Sequence, residues 1–113
     1  MPLCRSAPIA AACMAWLAAG AAASAETPAY SLTIKDHQFQ PGEIEVPAGT
    51  KIKLLVTNAD PTAEEFESDA LRREKVIAAG TEGTIYVGPL EPGTYEFYGD
   101  FHPKTARGRL VAK

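Results

Sequence analysis

The chain predicts an all-β fold, an antiparallel Greek-key β-sandwich of about seven to eight strands. Short runs in which every second residue is apolar recur through the chain, turn sequences rich in Pro and Gly separate them, and no long stretch carries a helical repeat. Alternation with a period of two is the mark of a strand with one buried face.

The first such run has Tyr30, Leu32 and Ile34 alternating with Ser31, Thr33 and Lys35, and it is followed by a turn at Gln40-Pro41-Gly42. Ile44 and Val46 then alternate with Glu43 and Glu45, Pro47 to Thr50 turns the chain, and Ile52, Leu54 and Val56 form a third run. β-branched residues suit a pleated, half-buried surface, and Pro and Gly set the backbone angles of the turns between. Asp60-Pro61-Thr62 reads as a turn, and Glu64 to Arg73 as a short helix or an irregular crossing. Strand character returns at Lys75 to Ala78, Thr84 to Val87, Thr94 to Tyr98 and Arg107 to Ala112.

Residues 1–25 read as a signal peptide. One positive charge precedes the apolar run from Ile9 to Ala23, and Ala23-Ser24-Ala25 supplies the small-x-small pattern of a cleavage site, so cleavage is expected before Glu26. The run is too Ala-rich and too short to span a membrane, which takes roughly 20 strongly apolar residues. The mature protein is therefore expected to be exported and not itself membrane-spanning. Cys4 and Cys13 both lie in this leader, and more leader-like sequence follows Cys13, which argues against lipidation there. Residues 26–113 are expected to form one small domain without a thiol, which must close its core by packing, a bound metal being the one further aid open to it. With 10 basic and 14 acidic residues this part is acidic, which excludes nucleic acid as a partner. No Ser-His-Asp set, Cys-His pair or phosphate-binding glycine loop supports hydrolysis or group transfer.

The frame Phe39-x-Pro41-x-x-Ile44-x-Val46-x-x-Gly49-x-x-Ile52, then Val56-x-Asn58 and Leu90-x-Pro92-Gly93-x-Tyr95-x-Phe97, resembles the cupredoxin domain, the fold of small exported copper proteins. The resemblance covers essentially all of residues 26–113. In that family a His soon after the Asn, then Cys, His and usually Met in the loop between the last two strands, hold the metal. Carried over by position, the Cys-to-His span falls on Gly99 to His102, the axial Met near Arg107 and the first His on Glu64, so only His102 is retained. A copper–thiolate bond makes the blue site; no blue type 1 copper is expected.

A narrower resemblance lies in Glu65-Phe66-Glu67 and in the ending Tyr95-x-Phe97, Gly99, Pro103-Lys104 and Gly108. These are similar to EfeO-type periplasmic domains and to small stand-alone domains associated with high-affinity ferrous iron permeases, which carry Glu-aromatic-Glu where blue copper proteins carry His. The resemblance implies a periplasmic role in iron uptake, with an iron or copper ion bound or oxidised on its way to the permease. It implies as partners a periplasmic iron-binding protein or an inner-membrane iron permease. Some such domains add cysteines at positions matching Phe39 and Gly99, neither of which is Cys here.

The metal ligand candidates are Glu64, Glu65, Glu67, Asp100 and His102, an oxygen and imidazole set that suits Fe(II), Fe(III), Mn(II) or Cu(II) rather than Cu(I). In an extended backbone Glu65 and Glu67 share one face while Glu64 joins Phe66 on the other. With Phe66 facing the core, Glu64 takes the inherited ligand direction, and Glu65 with Glu67 forms a second, more exposed pair; both arrangements stay open. His37, between Asp36 and Gln38, reads as solvent-facing and stands outside the ligand set. The competing reading pairs Lys104, Arg107 and Arg109 with Glu64, Glu65 or Glu67 in a salt-bridge network, leaving a metal-free docking module. A copper-handling periplasmic protein is the third reading.

Overall fold

Leu32, Ile34, Ile52, Leu54 and Val56, the apolar members of two alternating runs, are all 0–1% exposed, while their sequence neighbours face outward or lie half-buried. The computed structural model describes residues 26–113; the expected signal peptide, its cleavage site and both cysteines lie outside the described residues or at their edge. The elements are β1 (Ala29–Lys35), β2 (Gln38–Gln40), β3 (Glu43–Val46), β4 (Ile52–Asn58), β5 (Glu64–Ser68), β6 (Arg73–Ile77), β7 (Glu82–Val87), β8 (Gly93–Gly99) and β9 (Arg107–Ala112). Among the described residues no helix is long and apolar enough to cross a membrane.

The nine strands form two sheets, ordered β2-β1-β4-β7 and β3-β9-β8-β5-β6. The expected β-sandwich is present, with two ladders that run parallel, β1 with β4 and β3 with β9. Chain path accounts for the first: β2 pairs in the first sheet and β3 in the second, so the chain has changed sheets before β4 returns beside β1. Two strands exceed the expected set. Glu64 to Ser68 is β5 rather than a helix, because β6 and β8 pair with it from its two sides. The three residues of β2 fold back on β1 and bury Phe39, which is 5% exposed.

Phe39 from the first sheet meets Phe66 and Phe97 from the second. Its ring stands edge-on to both, with centroids 6.1 Å and 5.0 Å away, while Phe66 and Phe97 stack at 5.1 Å. Such pairs add to the stabilisation from area burial, because ring edges and faces carry opposite partial charge. Gly108 belongs to this arrangement: a Cβ there would lie 2.5 Å from the Phe97 ring. The exposed pairs Arg109–Glu43 and Lys113–Glu45 lie across the β3–β9 ladder and add little, since water screens them.

Phe66 is fully buried between the sheets and adjoins both Glu65 and Glu67 in sequence. Phe66→Ala is expected to cost about 3–5 kcal/mol through lost burial and the cavity it leaves. Urea unfolding followed by circular dichroism measures that loss.

Candidate metal centre

The site begins with a turn. Only Asp36 and His37 separate β1 from β2, and both have positive φ, 54° and 58°, as a two-residue hairpin of right-handed twist requires. Asp and His tolerate this left-handed region better than most residues. The Asp60 carboxylate stabilises the turn by accepting the Asp36 N–H at 2.7 Å and the His37 N–H at 2.9 Å, one on each oxygen. These bonds, that from His37 first, hold the Asp60 carboxyl below the usual carboxylate range against an opposing effect of burial.

Asp60 is itself placed by Asn58, the last inward residue of β4. The Asn58 Oδ1 accepts the Asp60 N–H at 3.0 Å, and its Nδ2 donates to the carbonyls of Thr62 and Ile77 at 2.9 and 3.0 Å. A fully buried amide thus has its donors and acceptor engaged. The crossing from the first sheet to β5 is fixed as a result.

At the start of β5, Glu64 points inward and is 1% exposed. Its Oε1 accepts the N–H of Glu65 at 3.0 Å and of Phe101 at 2.9 Å, and its Oε2 lies 2.5 Å from His102 Nδ1. Burying a carboxylate is costly unless such donors surround it. His102 sits in the β8–β9 loop, where its N–H donates to the Gly99 carbonyl and its own carbonyl accepts from Thr105 and Ala106. Gly99 makes room for the pair: a Cβ there would lie 2.6 Å from the Glu64 Cδ and 2.8 Å from its Oε1.

The His37 ring lies on the His102 ring, with centroids 3.6 Å apart and planes 17° apart. Glu64, His37 and His102 thereby bring one potential ligand atom each within 4.8 Å of the others. The His37 and His102 side chains are 41% and 30% exposed, so the carboxylate forms the buried floor of this group and the two imidazoles its solvent edge. An open, largely apolar depression adjoins the rings, lined by Pro103, Lys104 and Thr105.

The candidate residues therefore separate. Glu64 and His102 come together; Glu65 and Glu67 lie on the outer face of β5 and join Glu74 of β6 in a second cluster. Asp100 belongs to neither cluster, although its N–H donates to the Glu65 carbonyl. His37, expected to face solvent, is half-exposed yet stacked in the first cluster. Its signal in the sequence was the Asp36-His37 pair between two strand runs, but the partner Asp60 lies more than twenty residues away.

The salt-bridge network of the competing reading is absent among the described residues. Arg109 reaches Glu43, and Arg107 donates to the Pro103 carbonyl and stands over the Tyr98 ring. No ion pair joins Lys104, Arg107 or Arg109 to Glu64, Glu65 or Glu67 among them. Strand β9 pairs with β3 as well as β8, which draws Arg109 toward the opposite edge from β5.

Two sheets enclose an aromatic core, and imidazole and carboxylate groups gather where the β8–β9 loop meets the β1–β2 turn, which makes the domain a β-sandwich with a polar cluster at one end. The model of the family described as cupredoxin-like domain matches residues 8–112, and the chain belongs to that family. An uncharacterized protein, RP394, of Rickettsia prowazekii (strain Madrid E) is 51% identical over 80 residues, covering 71% of this chain and 64% of that protein. The chain thus spans less than two thirds of that relative's length. Among solved structures, the metal binding domain of the Cu(I)-exporting P-type ATPase CopA of Streptococcus pneumoniae D39 superposes with a TM-score of 0.67 at 18% identity, covering 75% of this chain and 84% of that one. Auracyanin A, a blue copper protein of Chloroflexus aurantiacus, gives 0.65 at 12% identity over 75% and 98% of the two chains. Amicyanin of Paracoccus versutus gives 0.60 at 15% identity over 83% and 88%. At these identities the likeness is one of fold.

The residues present bear on which ion suits the site. Residues 26–113 contain no Cys, and the space beside Gly99 is filled by the Glu64 carboxyl, so the donors available are oxygen and nitrogen. That set fits a harder or borderline cation and does not fit a copper–thiolate centre.

The second cluster has its own electrostatics. A side-chain hydrogen bond with Glu65 is the leading cause that pushes the Glu67 carboxyl up to about 7, helped by burial and by the charges of Glu74, Glu65 and Asp100. Two carboxyls hydrogen bond only when one carries a proton, and Glu67 Oε2 is shut from solvent with no donor in reach. The folded state then holds a proton that the unfolded chain releases near 4.5, so Glu67 lowers stability as pH rises from 4.5 to about 7. Thermal melts of Glu67→Gln across this range are expected to lack that decline, leaving the variant relatively more stable at neutral pH than at pH 5.

Proposed function

We propose that this is an exported, periplasmic metal-binding protein of high-affinity iron uptake, which holds an iron or copper ion at Glu64 and His102. The supporting observation is the buried Glu64 carboxylate, which reaches past Gly99 to within 2.5 Å of His102 Nδ1. A hydrogen-bonded carboxylate and imidazole share one proton, and a cation replacing it would take a lone pair from each. Such an ion bound as cargo could be passed on to a periplasmic iron-binding protein or an inner-membrane permease. The leader-like residues 1–25 and the Glu65-Phe66-Glu67 element support this setting. Iron and Cu(II) both accept oxygen and imidazole ligands, and no blue type 1 copper forms without a thiolate.

Calorimetric titration of the purified protein with Fe(II) under anaerobic conditions, and with Fe(III) and Cu(II), tests this reading. Micromolar or tighter binding of at least one ion is expected, with Glu64→Gln and His102→Ala losing it while Glu65→Gln/Glu67→Gln retains it. Failure of all three ions would leave the Glu64–His102 contact as a structural pair and favour a metal-free docking module.

The location is tested separately. Expressed in a Gram-negative host, the protein is expected in the osmotic-shock fraction with Glu26 as its N-terminal residue. Recovery of the intact N-terminus in the cytosol would contradict export.

A further inference from the structure

Resting on the metal-binding reading of Glu64 and His102, we infer that His37 is the third protein ligand of the same ion, and that Asp60 is the residue that positions it. The result is a site of two imidazoles and one carboxylate. This donor set suits a divalent first-row cation, with the remaining coordination positions open to water, and it is the set found in non-haem ferrous centres.

Three observations carry the inference. Turn geometry is the first: a two-residue loop with both φ values positive holds the His37 side chain beside the β8–β9 loop, its ring 3.6 Å from that of His102; because the in-plane lone pairs of stacked rings do not converge, one ring must turn out of the stack when the ion binds. Ligand reach is the second, since His37, Glu64 and His102 each offer an atom within 4.8 Å of the others. The third is the support behind His37. Asp60 accepts the His37 N–H at 2.9 Å and places the same Oδ2 3.5 Å from His37 Nδ1. Carboxylates beside ligating imidazoles orient the ring by hydrogen bonding its second nitrogen, and Asp60 stands within a small ring movement of doing so.

A hairpin needing no more than a tight turn would use Asn-Gly or Gly-Gly. Here two side-chain-bearing residues adopt left-handed backbone, and a buried carboxylate from a distant crossing holds both amides. An apolar ring would stack on His102 as well as His37 does, but it would bring no lone pair to the cluster.

Cu(II), used as a paramagnetic probe on tag-free protein, tests the ligand set. Pulsed electron paramagnetic resonance of the wild type is expected to count two coordinated imidazoles. His37→Phe keeps a ring for stacking and should show one, with Cu(II) affinity at least about tenfold weaker and the circular dichroism spectrum unchanged. Asp60→Asn, which leaves one turn amide facing an N–H donor, should weaken Cu(II) binding by about 10- to 100-fold. One imidazole in the wild type, or unchanged Cu(II) affinity in His37→Phe, overturns the role of His37 and leaves Glu64 with His102 as the binding pair. A wild type that binds no Cu(II), Fe(II) or Fe(III) removes both readings.

Discussion

The burial of one carboxylate organises the end of the sandwich that bears the histidines. Glu64 lies at an inward position of β5, where strand alternation would ordinarily put an apolar side chain, and a charge there is tolerable only if donors surround it. Two backbone N–H groups and one imidazole do so, and two of these three come from the β8–β9 loop. The loop's conformation and the carboxylate's solvation are therefore one requirement. Neither can change without exposing the other to an unpaired polar group.

A chain of polar contacts extends this requirement to the opposite sheet. Asn58 closes β4 by holding both Thr62 and Ile77, and in doing so it presents Asp60 to the β1–β2 turn. Asp60 then holds the backbone on which His37 rides. One turn from the first sheet and one loop from the second are thus brought to the same point, with Glu64 beneath them. Asp60 in this region and Glu67 on the outer face are driven in opposite directions. Asp60 is held below the ordinary carboxylate range by backbone donors, while Glu67, crowded by Glu65 and Glu74, is driven upward. Donors that converge on Asp60 favour charge, and neighbours that compete around Glu67 disfavour it.

Much of this was legible from local pattern. The alternating runs around Leu32, Val46, Leu54, Ile85 and Leu110 became strands because each carries its own period, whereas the division of Glu64 from Glu65 and Glu67 could be read only on the condition that this segment is extended. Strand β5 was not legible as a strand, since its polar sequence is extended only because β6 and β8 pair with it. Parallel pairing of β1 with β4 is likewise a property of chain path rather than of either run. The contact of His37 with His102 was not legible for the same reason. Its neighbours in sequence are polar, and its meeting with His102 depends on a turn fixed by Asp60 and on a loop more than sixty residues away. Long-range closure carries no local signature.

Gly99 shows how the site's chemistry is bound to its packing. A Cβ at this position would intrude within 2.6 Å of the Glu64 carboxyl and 2.7 Å of the Ala106 methyl. Any side chain at 99, a thiol included, therefore competes with Glu64 for one space, and the β8–β9 loop that Glu64 solvates would have to find other partners for the Phe101 and Glu65 amides. A sulfur donor and this buried carboxylate are mutually exclusive on the present backbone. Oxygen occupies the position because glycine concedes it, and an ion proposed for this place would meet carboxylate and imidazole donors, the set that suits harder or borderline cations.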